Sequence, residues 1–187
     1  MVIAVIDTGI DAEHVDLDGG KVIGWYDALN GKANPYDDEG HGTHVSSIAA
    51  GTGEGNLNTQ VGFAPGAALV GVKVLDENGN GSNENMIDGL EWIYNNIDKY
   101  KIDVVNMSIG THLPYIDVEE IIDLINAIDS EGVPVFVSAG NEGDGEKLGR
   151  YYDTLTTYAK YTSTSVGSVR EKRKTKAPCT AALSCLF

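Results

Sequence analysis

Basic residues are scarce in this chain. Thirteen Lys and Arg stand against 28 Asp and Glu in 187 residues, a formal net charge of −15 at pH 7. Nucleic-acid phosphates are held by clustered Lys and Arg, so this surplus of carboxylate excludes a nucleic-acid partner. Long apolar runs are missing as well: no stretch approaches the roughly 18–20 residues that span a bilayer, and no membrane partner is expected. Cysteine is nearly absent. Cys179 and Cys185 lie close together near the end, where they build neither a disulfide framework nor a four-ligand metal spacing. A basic leader with a small-residue cleavage site is lacking too, because Met1 runs straight into the apolar Val2–Ile6 and then Asp7. What is present is a 42% hydrophobic content, which at this length suits one ordinary globular domain.

The charge is unevenly spread. Residues 170–176 hold five of the 13 basic residues and one of the 28 acidic ones, leaving eight basic against 27 acidic over residues 1–169. Both cysteines also follow that switch. The chain therefore divides into a body, 1–169, and an anomalous basic, cysteine-containing tail, 170–187. A solvated basic tail and a shifted reading frame both fit the tail.

Val2–Ile6 is continuously apolar and β-branched, as a strand buried on both faces of a parallel sheet would be. Similar runs occupy Ala68–Leu75, Ile102–Met107 and Val133–Ala139, with a weaker one at Thr162–Val169. Between them the period turns helical. Met86, Ile87, Leu90, Ile93, Tyr94 and Ile97 follow the N-cap candidates Ser82 and Asn83. Val118, Ile121, Ile122, Ile125 and Ile128 follow Asp117, with Glu120 as an approximate capping-box partner and Gly132 closing the segment. A short helix is predicted over His41–Ala50, stopping at Gly51. Strands alternating with helices predict an α/β layered domain with a parallel sheet. Reactive residues of such sheets gather past the carboxyl ends of the strands, which is where Asp7, Ser108 and Asn141 fall.

Three stretches carry the chemistry. Val5–Asp11 reads V-I-D-T-G-I-D, and on its own the D-T-G describes a strand-ending carboxylate capping a turn. Gly40–Val45 reads G-H-G-T-H-V, a histidine between two glycines at the opening of a helix. Ser138–Gly143 reads S-A-G-N-E-G, an asparagine in a glycine turn after a buried strand. Together they resemble the subtilisin-like serine proteases, whose chain order is acid, base, oxyanion asparagine, nucleophile. The resemblance runs from about Val2 to about Val169. It takes in G-F-A-P-G-A at Gly62–Ala67, V-K-V-L at Val72–Leu75 and N-M-S-I-G at Asn106–Gly110.

The resemblance implies a three-layer α/β subtilisin-like fold with a mainly parallel central sheet, incomplete at both ends, and a serine endopeptidase acting on polypeptides. It implies that His41 is the base that takes a serine proton, that Asp7 fixes and stabilises its imidazole, and that the Asn141 amide receives the developing oxyanion. Ser108, Ile109 and Gly110 resemble the edge that pairs with extended substrate as an added strand. The glycine-threonine-serine nucleophile motif is absent. Ser163, Ser165, Ser168 and Ser184 lack its context, and N-M-S-I-G around Ser108 does not match it either. The chain is accordingly expected to be a fragment without the leading helix and the nucleophile, inactive by itself and prone to aggregate at its open sheet edges. A non-catalytic peptide-binding module is the alternative that explains the missing serine, although it does not need Asp7, His41 and Asn141 all together.

No cofactor is required for this chemistry. The resemblance places Asp16 at a position similar to a calcium ligand, with the polar loop Glu54–Gln60 as a source of further oxygens. D-E-N-G-N-G at Asp76–Gly81 imitates half of an EF loop but has Ile87 where its bidentate Glu belongs. His44 is expected to pack or hydrogen-bond in the first helical turn rather than share a metal with His41, and His14 and His112 are read as loop histidines. Asp37, Asp38 and Glu39 read as a solvated acidic loop able to tune His41. The family resemblance also implies a secreted, extracellular setting. A phosphate-loop reading of D-T-G-I-D leaves G-H-G-T-H-V unexplained.

Overall fold

The computed structural model describes residues 1–141 and 155–166, and the predicted tail at 170–187 lies outside the described residues. Its strands are β1 (Val2–Asp7), β2 (Val22–Asp27), β3 (Ala68–Lys73), β4 (Val104–Met107), β5 (Val135–Ser138) and β6 (Ser165–Val166). They form one six-stranded sheet in the order β2-β3-β1-β4-β5-β6. Every pairing is parallel, with Val2 beside Ala68 and Ile3 beside Val104 in the central strands. The helices are α1 (His41–Ala50), α2 (Asn83–Tyr100), α3 (Glu119–Ser130) and the short α4 (Thr157–Tyr161).

Alternation along β1 divides the core into two layers. Ala4 and Ile6 join Val70, Val72 and the apolar stripes of α2 and α3, including Leu90, Ile93, Ile121, Ile122 and Ile125. Ile3 and Val5 face the other way, onto Val45 and Ala50 of α1. Helices on both faces of a parallel sheet make the three-layer α/β arrangement, with both faces of β1 buried.

α2 begins as expected, the Ser82 hydroxyl accepting the Asn85 N–H at 3.1 Å. α1 ends at Gly51 as expected. α3 departs from expectation. Its N-cap is Val118 without a side-chain cap, because Tyr115–Asp117 forms a 3₁₀ turn and the Asp117 carbonyl instead takes the Asn83 amide at 2.7 Å. The pair of carboxylates in its first turn, Glu119 and Glu120, still suits the positive end of the helix dipole.

β2 was not among the predicted strands. It is an edge strand, paired only with β3 and half-exposed, so V-I-G-W-Y-D has no continuous apolar run. Its outer residues are covered by aromatics of α2: Tyr26 stacks on Trp92 at 5.3 Å, and a side chain at Gly24 would collide with the Tyr100 ring.

Candidate active site

Because all strands are parallel, their carboxyl ends share one edge of the sheet, and Asp7 is the last residue of the central strand β1. Its side chain is fully buried. Asp7 Oδ1 accepts the Thr8 N–H at 2.8 Å and stands 2.7 Å from His41 Nδ1. Asp7 Oδ2 is buried without a hydrogen-bond partner among the described residues, so the imidazole is the carboxylate's main compensating group. A carboxylate only accepts, which fixes the proton on Nδ1 and leaves the Nε2 lone pair as the basic position. The His41 side chain is 39% exposed, so this nitrogen belongs to a group that solvent and ligands reach. The hydrogen bond from Asp7 raises the His41 pKa above its ordinary value. Partial burial opposes that shift, and the negative charges of Asp7, Glu39 and Asp37 add to it.

Two glycines make the contact possible. Gly42, one residue into α1 beyond His41, is buried, and a Cβ there would lie 2.1 Å from the Gly9 carbonyl oxygen and 3.1 Å from the Asp7 Cβ. Only hydrogen lets the first turn of α1 sit this close to the end of β1. Gly40, the N-cap, has φ 104 and turns the chain into the helix in a conformation that L side chains disfavour.

The acidic loop before α1 differs from its solvated reading. Asp37 is half-buried and accepts five hydrogen bonds: from Thr8 Oγ1 (2.9 Å), Glu39 N (3.2 Å), Gly40 N (2.8 Å), Thr43 N (2.8 Å) and Thr43 Oγ1 (2.6 Å). Burial pushes its carboxyl up, but the bonds from Thr43, Gly40 and Thr8 outweigh it and hold the pKa below the ordinary value. Asp38 pairs at 2.6 Å with Lys73 Nζ, a fully buried ammonium that also donates to the carbonyls of Thr8 and Leu75. Sequence reasoning gave Asp37 no more than a tuning charge near His41 and passed over Thr8, Thr43 and Lys73 as working parts. The available signal was Lys73, a single charge inside an otherwise apolar strand, since a buried ammonium must be paired.

Ser108, Ile109 and Gly110 follow the end of β4. Ser108 Oγ accepts from the Asn106 amide at 3.0 Å, and the Ile109 carbonyl accepts from Ser138 Oγ at 3.0 Å, which ties this segment to the end of β5. Gly110 abuts the Thr156 side chain so closely that a Cβ would overlap it. Asn141 is exposed just beyond β5, after Gly140 at φ 106. Two inter-strand steps of about 4.8 Å separate β5 from β1, so the two strand ends lie about 10 Å apart at the same edge. Asp7 and His41 are thus in contact, and Ser108–Gly110 and Asn141 stand along the same rim.

His44 and His14 lie outside this contact. His44 is exposed on α1 rather than packed, and His14 Nδ1 accepts the Asp16 N–H at 3.2 Å. Asp16 Oδ1 accepts the Gly55 N–H at 2.8 Å, which brings Asp16 against the polar loop Glu54–Gln60. Among the described residues no three His, Cys, Asp or Glu side chains gather as a metal site. Calcium takes six to eight oxygens, to which backbone carbonyls and Asn side chains contribute as well as carboxylates, and no chemical step is routed through a metal. No described helix is long and apolar enough to cross a membrane.

Comparison with known proteins agrees with this geometry. The model of the Subtilase family matches residues 1–184. The chain is 43% identical over 148 residues to Serine protease AprX of Bacillus subtilis, covering 75% of this chain and 33% of that protein. It is 37% identical over 177 residues to Subtilisin E of the same organism, covering 92% of this chain and 42% of that one. Among solved structures, a cold adapted subtilisin-like serine proteinase superposes with a TM-score of 0.62 at 31% identity, over 75% of this chain and 46% of the other. The chain therefore spans between a third and a half of the length of these relatives.

Proposed function

The chain belongs to the subtilase family, and on that premise we propose that it supplies the acid, base and oxyanion donor of an endopeptidase working by an Asp-His-Ser mechanism. The observation that carries this reading is the 2.7 Å contact between buried Asp7 and half-exposed His41 at the carboxyl edge of the sheet. A serine hydroxyl is too weak an acid to attack an amide unaided, so a base must take its proton as the bond to the carbonyl carbon forms. His41 Nε2 takes it, and Asp7 stabilises the resulting imidazolium without itself becoming protonated. The peptide oxygen gains negative charge in the tetrahedral intermediate, and the Asn141 carboxamide donates to it. His41 then returns the proton to the leaving amine, and water releases the acyl group by the same steps in reverse order.

Extended substrate lies along Ser108, Ile109 and Gly110, whose backbone follows a strand end and offers main-chain hydrogen bonds irrespective of side chain. The ring nitrogen left after the Asp7 contact needs a serine hydroxyl. The described side-chain hydrogen bond of His41 goes to Asp7, and its backbone N–H donates to Glu39. None of the serines of this sequence stands in the family's nucleophile motif, and on that ground we read the 187 residues as inactive alone. A relative named Minor extracellular protease Epr, 37% identical over 146 residues, supports an extracellular setting.

The test is cleavage of casein by the chain extended to a natural nucleophile. Wild type is expected to hydrolyse it, and Asn141→Ala to lower kcat by about 10²–10³-fold with little change in KM. That magnitude is the one measured for such a donor in subtilisin itself, and it is carried over to this chain by kinship. An Asn141→Ala enzyme with unchanged kcat removes the oxyanion assignment.

A further inference from the structure

We propose that Asp37 is a positioning residue for the catalytic base, tying the end of β1 to the first turn of α1 so that His41 Nδ1 stays against Asp7. The proposal rests on the reading of Asp7 and His41 as acid and base, and adds to it a residue that touches neither of them through its own side chain.

The connections are local and specific. Thr8 is the neighbour of Asp7; its hydroxyl donates to Asp37 Oδ1 at 2.9 Å and accepts the Gly42 N–H at 2.9 Å. Gly40 and Thr43 flank His41, and their N–H groups donate to Asp37 at 2.8 Å each. Thr43 Oγ1 donates to Asp37 Oδ2 at 2.6 Å and accepts the Asp11 N–H at 2.9 Å, reaching back to the chain that leaves β1. A backbone bridge between Gly9 and Asp37 joins the same two segments. One carboxylate thus holds groups on both sides of the Asp7–His41 contact. The next residue is fixed independently, because Asp38 is anchored on buried Lys73, which itself donates to the Thr8 carbonyl.

An ordinary helix cap does not account for this arrangement. The N-cap of α1 is Gly40, which has no side chain, and Asp37 lies outside the helix while reaching both Thr8 and Thr43. An ionised carboxylate accepts from several directions at once, whereas a carboxamide offers one accepting oxygen and presents an NH₂ to donors that cannot accept it. Hydrogen bonds to a charged acceptor are also stronger than neutral ones. Asp37→Asn, nearly unchanged in shape, therefore breaks one side of the link. Among the described residues, the charges acting on His41 are Asp7 from β1 and Asp37 and Glu39 from the preceding loop, while Lys73 on β3 is occupied by Asp38.

The test is histidine-side-chain NMR on the chain itself, following the Nδ1 proton and the imidazole titration of His41 in wild type, Asp7→Asn, Asp37→Asn, Glu39→Gln and Thr8→Val. Wild type is expected to show a far-downfield Nδ1 proton. Asp37→Asn is expected to lose that signal and to titrate about one pH unit lower. Glu39→Gln removes one negative charge near His41 but leaves the Asp37 link intact and keeps an amide oxygen able to accept the His41 backbone N–H that Glu39 takes at 2.6 Å, and is expected to shift the titration less and keep the signal. Equal shifts in Asp37→Asn and Glu39→Gln with the signal intact in both would reduce Asp37 to a charge and overturn the proposal. Thr8→Val removes the bridging hydroxyl at constant charge. It decides the matter alone if Asp37→Asn fails to fold: a weakened Nδ1 signal supports the link, and an unaltered His41 overturns it. Identical titrations in wild type and Asp7→Asn would instead show that the carboxylate–imidazole pairing itself is wrong, and the proposal with it.

Discussion

At the scale of single residues, the site turns on where one proton sits. Asp7 is buried and presents Oδ1 to both the Thr8 N–H and His41 Nδ1, so its charge favours the protonated imidazole. The His41 pKa is raised chiefly by that hydrogen bond. A group with a raised folded pKa contributes its stability below the unfolded value, about 6.5, and loses it as pH climbs through the folded value. The prediction is that wild type is more thermostable than His41→Gln at pH 5.5 and that the gap closes above neutral pH. Because the side chain is 39% exposed, solvent screening keeps the effect small. Parallel Tm-versus-pH curves for the two proteins, with a constant offset, would contradict the raised pKa. The contact of Asp7 with His41 was foreshadowed only by their motifs, since composition and periodicity say nothing about contact. Asp37 was legible only as a charge able to tune His41: three consecutive acids before a glycine look like solvent-facing loop, and nothing in their spacing reveals that donors from Thr8 and Thr43 converge on the first of them.

At the scale of elements, the docking of α1 on β1 brings the base to the acid. Gly42 meets the Gly9 backbone, and the obstacle to any side chain there is main chain rather than a flexible tip. Gly42→Ala is therefore expected to push α1 from β1, costing roughly 1–3 kcal/mol by urea denaturation, as overpacking in a tight contact does, and separating His41 from Asp7. An alanine variant of full stability with an unaltered His41 titration would mean that the helix has room to spare. Among the strands that could be read beforehand, β1, β3 and β4 are buried on both faces, whereas β5 alternates between buried and half-buried residues and β6 falls inside the weaker candidate Thr162–Val169. β2 escaped because an edge strand half in water, with Gly24 making room for Tyr100, carries neither a run nor a clean alternation. The start of α3 escaped because the 3₁₀ turn at Tyr115–Asp117 used the Asp117 carbonyl in a contact with Asn83 that no local pattern announces.

At the scale of the whole molecule, a parallel sheet collects the ends of distant segments at one rim. Residues 7 and 41 meet there, and the segments at 108–110 and 141 stand along it, although the sequence separates them widely. The layering places the larger apolar cluster under α2 and α3, so the rim rests on a core built from parts that take no role in the chemistry. The strong net negative charge is a property of the surface as a whole, and Lys73, a cation fully buried at the rim, serves the loop that leads into α1.

The central claim is that Asp7 and His41 act as one unit, and a double-mutant cycle on kcat/KM of the extended, active chain tests it most directly. Asp7→Ala and His41→Ala should each abolish nearly all turnover, and the double variant should be no worse than His41→Ala alone, because a carboxylate without its imidazole has nothing left to orient. Losses that simply multiply in the double variant would contradict the account.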